Sequence, residues 1–311
     1  MKKFILHTFL YLLPVLVFFI LFEILLRHIP NDYSYKKNYL DANADKIETL
    51  ILGNSHTYYG IDPVYFSTND VFNASHVSQS LDYDCEILKR YEAKLNNLKT
   101  VVIPVSYFTL WGRLSAGKES WRVKNYVIYY KISTNNDKLK YHLEVLSNKF
   151  TTNIRSLKSW LQGNNITCSK QGWGISYNSK NAHDLEETGK TAATRHTRNN
   201  IHSLQTTRIF NDNISILDSI INLCIVHNAN VLLVTPPAYK TYCQHLNSEQ
   251  LTVTIETANK IADKYQNCTY LNLMTDSSFV STDYYDADHL SEIGAKKLSV
   301  LIDTYIKNSR K

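Results

Sequence analysis

The chain has 311 residues, 44% of them hydrophobic and 20% charged, enough for one sizeable core but not for several. Its 34 Lys and Arg against 28 Asp and Glu leave a net charge of +6, with no long basic block interleaved with aromatics, which excludes nucleic acid as a first reading. With 9 Gly, 6 Pro and 22 Tyr it has the composition of neither a disordered nor a fibrous chain.

Lys2 and Lys3 precede a run from Phe4 to Leu26 that is apolar apart from His7, Thr8, Pro14 and Glu23. That length predicts a bilayer-spanning helix over residues 4–26, inside an anchor at 1–28. The two leading cations favour a cytoplasmic N-terminus, hence a single-pass inner or plasma membrane protein with its domain outside the cytoplasm. Arg27, His28, Lys36 and Lys37 oppose that bias. Glu23 stands one helical turn before Arg27, so the two can reach the interface as a pair. A cleaved signal peptide is the alternative, with Ala42-Asn43-Ala44 as its small-x-small site, although that triplet lies far beyond the apolar run.

Residues 29–45 are polar and lack apolar periodicity, which predicts a stalk, with the domain running from 46 to 311. There, short apolar runs alternate with longer amphipathic ones. Strands are expected at Thr49–Leu52, Val71–Asn73, Val101–Val105, Val231–Val234 and Tyr270–Leu273. Helices are expected at about Leu81–Leu95, Asn213–His227, Ser248–Tyr265 and Leu290–Ile306, the last with a stripe of Ile293, Leu298, Leu301, Ile302 and Ile306. This rhythm predicts an α/β fold, a three-layer α/β/α sandwich on a mostly parallel sheet. Residues 107–208, with the Asn-rich stretch around Asn164, show no strand alternation and read as an insertion over the sheet. Cys85, Cys168, Cys224, Cys243 and Cys268 have no paired short spacing. No disulfide framework or metal motif is expected, and Cys85 and Cys224 fall on helix patterns where a buried free thiol is the ordinary outcome.

Leu50-Ile51-Leu52 runs directly into Gly53-Asn54-Ser55-His56. In an open α/β sheet, ligands bind beyond the carboxyl ends of strands, and a serine there can offer both hydroxyl and backbone N–H. The bland alternative is that Ser55 caps the next helical turn. Near the C-terminus, Asp286-Ala287-Asp288-His289 puts an acid three residues before a histidine. On one turn the Asp286 carboxylate can accept from Nδ1 while Nε2 faces a nucleophile.

These two blocks resemble the first and last blocks of the SGNH or GDSL-like hydrolases. In that family the serine follows the first strand, and Asp-x-x-His, here with Leu290 and Gly294, precedes the final helix. The resemblance is to the membrane-anchored branch of bacterial envelope biosynthesis, which includes exopolysaccharide acetyl transfer proteins and the D-alanyl transfer protein of teichoic acids. It implies Ser55 as nucleophile, His289 as base and Asp286 as its partner. It also implies no cofactor or metal, an acylated cell-envelope glycan as substrate, and a partner membrane acyltransferase. The family's second-block glycine and third-block asparagine are absent, with Ser78 near the first position and Ser106 and Tyr107 at the second. The oxyanion donors are then the backbone N–H groups of Ser55 and Ser78, helped by Gln79, Ser106 or Tyr107.

His56, Asn73, Tyr107 and Tyr239, with Lys240 beside the last, are candidates for lining the substrate; His56 reads as an orienting residue, and the Pro236-Pro237 turn alone also accounts for Tyr239. Trp111, Trp121, Tyr129, Trp160 and Trp173 suit packing on sugars, or simply form core. Two other classes stay open: a non-catalytic envelope scaffold with a decayed site, and a metal site at Asp286, Asp288 and His289.

Overall fold

The computed structural model describes residues 1–133, 138–163 and 165–309, and it divides into two compact units. One comprises Met1–Lys37 and Lys118–Thr167, the other Asn38–Gly117 and Cys168–Lys311. Asn164, the centre of the expected Asn-rich stretch, lies outside the described residues. In chain order the elements begin with α1 (Lys2–Arg27), α2 (Asp32–Asn43), β1 (Thr49–Ile51), α3 (Ser55–Gly60), β2 (Val71–Asn73), α4 (Leu81–Tyr91) and β3 (Thr100–Pro104). Next come α5 (Val123–Asn125), α6 (Glu144–Ser147), α7 (Phe150–Leu161), α8 (Leu185–His196), α9 (Leu204–Val226) and β4 (Asn230–Thr235). The chain closes with α10 (Lys240–Gln244), α11 (Ser248–Lys264), β5 (Cys268–Asn272), β6 (Tyr284–Asp286), β7 (His289–Leu290) and α12 (Glu292–Ser309).

In the larger unit, β1 to β5 form one sheet in the order β2-β1-β3-β4-β5, every pair parallel. Parallel strands are covered on both faces, which is why β1 and β3 are buried at every position and read as unbroken apolar runs rather than alternating ones. On one face, Ile51, Val102, Leu232 and Val234 pack with Leu298, Ile302 and Ile306 of α12. On the other lie α4 and α9, the latter through Leu217, Ile220, Ile221 and Cys224. Helices on both faces make the three-layer α/β/α sandwich that the sequence predicts. The strand order reverses between β1 and β3, so the crevice beyond their carboxyl ends is the place where such a sheet receives a ligand.

Several boundaries differ from the sequence reading. α9 begins at Leu204, because the Ser203 hydroxyl accepts the Thr206 N–H and caps a polar first turn with no apolar stripe to announce it. The last helix begins at Glu292, leaving Leu290 in β7, and Ile293 is 45% exposed rather than part of the buried stripe. Residues 29–45, read as a stalk, contain α2. Tyr33, Lys36, Leu40, Ala44 and Ile47 recur every three or four residues and are all buried. That stripe begins with a tyrosine and a lysine stem, so a scan for aliphatic residues passes over it. Of the stretch 107–208, residues 118–167 group with the N-terminal helix, and the remainder with the sheet. All five cysteines are free, with Cys85 and Cys224 buried on α4 and α9.

In the smaller unit, α1 is exposed along its length up to Leu21, while Phe22, Leu26 and Ile29 are buried against Val145, Ile154, Leu157 and Trp160. Among the described residues two helices are long and apolar enough to cross a membrane, α1 and α9; the second packs on β4 and α4. Glu23 pairs with Arg27 at 2.6 Å, as its spacing suggests, but also accepts the N–H groups of Glu144 and Val145 at 3.0 and 2.9 Å. Lys124 and Glu144 form a buried ion pair, with the Tyr129 hydroxyl donating to the same carboxylate at 2.8 Å.

Candidate active site

β1 delivers the chain through Leu52, whose N–H bonds to the Val102 carbonyl, to Gly53 at φ +112°. A Cβ on Gly53 would fall 2.2 Å from the Pro104 ring, so both the backbone angle and the neighbour exclude a side chain. Asn54 then caps α3, its side-chain oxygen accepting the His56 N–H at 3.0 Å. The cap is therefore Asn54 and not Ser55, which removes the bland account of the serine. Ser55 opens α3, and its N–H is one of the amides that have no intrahelical acceptor.

The partner residues do not lie on a helical turn. Asp286 and His289 are a cross-strand pair closing the β6–β7 hairpin, with Ala287 and Asp288 as its tip. Asp286 Oδ1 accepts the N–H groups of Asp288 and His289 at 3.1 and 2.8 Å, so one carboxylate both shapes the turn and holds the ring. Its oxygens lie 2.9 and 3.1 Å from His289 Nδ1. In the neutral ring a carboxylate there keeps the proton on Nδ1, which leaves Nε2 as an acceptor. Ser55 Oγ stands 2.8 Å from it. The Tyr239 N–H bonds to the Ala287 carbonyl at 2.9 Å, tying the loop after β4 to the hairpin tip.

Behind the imidazole lies Asp288, 3% exposed. Its carboxylate is 3.4 Å from His289 Nδ1, 3.2 Å from the Arg195 guanidinium, 3.6 Å from His56 Nε2 and 3.7 Å from His196 Nδ1. Burial would raise its pKa, yet His289 and the neighbouring imidazoles hold it well below the usual carboxylate range. Burial would likewise lower the His289 pKa, but Asp288 and Asp286 outweigh it and push it up to about 10. The two shifts are one interaction seen from its two ends. His56 and His196 are both lowered, chiefly by burial.

Of the oxyanion candidates, the backbone N–H of Ser55 lies in the first turn of α3. Ser78 has φ 62° at the third position of a turn closed by the Gln79 N–H on the His76 carbonyl; its left-handed backbone is the one a glycine favours. The side-chain candidates are committed elsewhere. Gln79 Nε2 donates to Asp84 at 2.6 Å. The Ser106 hydroxyl is 2.8 Å from His56 Nδ1, and since Nε2 of that ring faces Asp288, Nδ1 is the acceptor and Ser106 the donor. The Tyr107 hydroxyl accepts the Asn247 N–H and bonds Thr197.

Among the expected lining residues, Asn73 is fully buried and donates to the carbonyls of Thr57 and Ile61, a brace rather than a wall. Tyr107 is core, and the Tyr239 ring packs on Tyr284 at 5.4 Å. The His56 ring, read from the sequence as an orienting residue, stands 5.1 Å edge-on from that of His289. Trp111 is buried and donates to Thr254, whereas Trp121, Tyr129 and Trp160 belong to the other unit. Trp173 alone of that set comes near, donating to the Tyr59 carbonyl at 2.6 Å.

Sequence reasoning misses what flanks the histidine. Tyr59, Tyr177 and Tyr285 stack at 3.6 and 3.9 Å, with Tyr177 edge-on to His289 at 5.3 Å. Their separation along the chain carries no pattern that a local scan would find. For a metal, the donor set found among the described residues is His56, Asp288 and His289, whose ligand atoms lie within 4.8 Å, with His56 where the sequence suggests Asp286. Both His289 nitrogens already face partners and Arg195 occupies Asp288, so a cation there would have to dismantle the Ser55 arrangement.

No protein-family profile and no curated protein matches the chain. Among solved structures, it resembles a protein from Streptococcus pneumonia described as a platelet activating factor, at 10% identity and TM-score 0.44, covering 96% of this chain and 98% of that one. A protein from Bacteroides fragilis described as an acylhydrolase aligns at 11% identity and TM-score 0.42, over 88% and 96% of the two chains. A GDSL-like lipase from Bacteroides thetaiotaomicron aligns at 14% identity and TM-score 0.39, over 89% and 99%. Identities and TM-scores this low carry no information about activity, so the chemistry rests on the residues themselves.

Proposed function

We propose that the chain is a membrane-anchored, SGNH-type serine esterase or O-acyltransferase, with Ser55 as nucleophile, His289 as general base and Asp286 as the group that fixes its tautomer. The observation that carries this reading is the unbroken line from Asp286 through both nitrogens of His289 to Ser55 Oγ, at 2.9 and 2.8 Å. His289 Nε2 takes the hydroxyl proton as Ser55 Oγ bonds to the ester carbonyl carbon. The Ser55 and Ser78 N–H groups receive the oxyanion. Collapse breaks the bond to the leaving alcohol, which takes the proton back from His289, and leaves an acyl-serine. Water or a sugar hydroxyl then attacks the acyl carbon and gives its proton to His289; collapse breaks the bond to Ser55 Oγ, which takes that proton back from His289.

With α1 as anchor and the domain from residue 46 outside the cytoplasm, an acylated cell-envelope glycan is the substrate class, and a membrane acyltransferase the partner that would hand over acyl groups. The Tyr59–Tyr177–Tyr285 stack beside His289 offers an aromatic surface for such a substrate. A fluorophosphonate probe tests the chemistry: the full chain should be labelled, and Ser55→Ala and His289→Ala should not. Labelling indifferent to both substitutions would sink the reading. A folded wild-type chain that takes no label would favour a non-catalytic scaffold.

A further inference from the structure

The smaller unit carries a surface that the catalytic reading does not use. Where α1 stops being exposed, at Phe22, the segment 138–163 packs against it. Arg27 reaches the His142 carbonyl at 2.6 Å, Glu23 holds the first amides of α6, and Phe150 at the head of α7 meets the Phe22 ring at 5.6 Å. Ile154, Leu157 and Trp160 form the inner face of α7. The outer surface of this same segment leaves Leu139 and Leu161 each 77% exposed, and Leu146 and Phe150 each 54%. It is also basic: Lys138, Lys140, Lys149, Arg155 and Lys158 face a single acid, Glu144, which is itself buried against Lys124.

We infer that residues 138–163 lie in the headgroup layer of the bilayer that α1 crosses, with the exposed leucines and Phe150 at the acyl boundary and the cations on anionic lipid. This rests on the reading of α1 as an anchor, and not on the serine chemistry. The occupant follows from continuity and charge. The apolar side chains continue the exposed surface of α1 at the level where that surface ends. A short amphipathic helix with a basic polar face at that level is the form that lies in an interface rather than across it. Each Lys or Arg close to an anionic surface strengthens attachment about fivefold. The unit then grips the membrane in two ways, by a span and by a collar around its foot.

The test uses the full chain reconstituted in vesicles of zwitterionic lipid with and without phosphatidylglycerol, and lipids brominated next to the headgroup as quenchers. The part of the fluorescence lost in Trp160→Phe isolates Trp160. Expected is quenching of that part, stronger with phosphatidylglycerol, weaker at high salt, and reduced in Lys149→Glu/Lys158→Glu and in Phe150→Asp/Leu161→Asp. A chain washed from the vesicles by alkaline carbonate would overturn the anchor and the collar together. A chain that stays with the vesicles but shows no Trp160 quenching would overturn the collar alone.

Discussion

The Asp84 carboxylate accepts the N–H of Gly53 at 2.7 Å, although the two residues are 31 positions apart. The same oxygen takes the Gln79 amide at 2.6 Å, so one buried group ties the turn carrying Ser55 to the turn carrying Ser78. Burial pushes the Asp84 pKa up to about 7, against the pull of those two hydrogen bonds. A carboxylate whose folded pKa exceeds its unfolded value of 3.8 penalises the fold when ionised; the penalty is absent below 3.8, grows up to about 7 and is constant above. Asp84→Asn keeps an acceptor and never ionises. Its gain in Tm over wild type should therefore be larger at about pH 8 than at about pH 5. Asp84→Ala, which leaves the Gly53 amide unpaired, should cost about 1–3 kcal/mol in denaturant unfolding.

The two acids of the hairpin should separate in kinetics. Asp286→Asn removes the group that fixes the tautomer, and kcat should fall about 10⁴-fold. Asp288→Asn leaves that contact intact but takes away one of the charges that raise the His289 pKa, so the acid limb of kcat/KM should move to lower pH. A pH profile of probe labelling reads the same shift without a known substrate.

The stability of the His289–Asp288 pair follows from the same directions. A raised histidine stabilises fully below 6.5 and loses that contribution as pH rises through about 10. A depressed aspartate contributes above 3.8 and loses it as pH falls. Wild type should therefore exceed Asp288→Asn in Tm most clearly between these two unfolded values, and the difference should shrink towards alkaline pH.

Backbone angles at the site make two opposite predictions. Gly53→Ala meets both a positive φ and the Pro104 ring at 2.2 Å, and should destabilise by about 3 kcal/mol in denaturant unfolding. At Ser78, with φ 62°, glycine relieves strain while keeping the N–H. Ser78→Gly should retain activity and stability, whereas the β-branched Ser78→Val should lose about 1–2 kcal/mol.

The strand rhythm and the two end blocks were readable because each is local: apolar runs of the right length, a serine after one, an acid three residues before a histidine. That last spacing marks a tight hairpin here rather than a helical turn, since two residues three apart face each other across the one as well as along the other. What stayed hidden depends on contacts between distant segments. Asp84 sits on Gly53, Ser106 on His56, and Tyr177 between Tyr59 and Tyr285, with no periodicity linking them. The side-chain donors proposed for the oxyanion were plausible in type, but their partners Asp84, His56 and Asn247 come from elsewhere in the fold. α2 was missed for a different reason, its stripe being built from Tyr33, Lys36 and Leu40 rather than from aliphatics alone.

Glu23 also sets an order of events. Its carboxylate closes onto amides 121 and 122 residues further along the chain, so α1 leaves the ribosome long before the groups that complete its outer end exist. Until residue 145 has emerged, that acid has Arg27 to answer its charge, and α1 waits with an unfinished end. A chain arrested before α6 should therefore hold the C-terminal end of α1 less firmly than the finished protein, making that end one of the last parts of its unit to be secured.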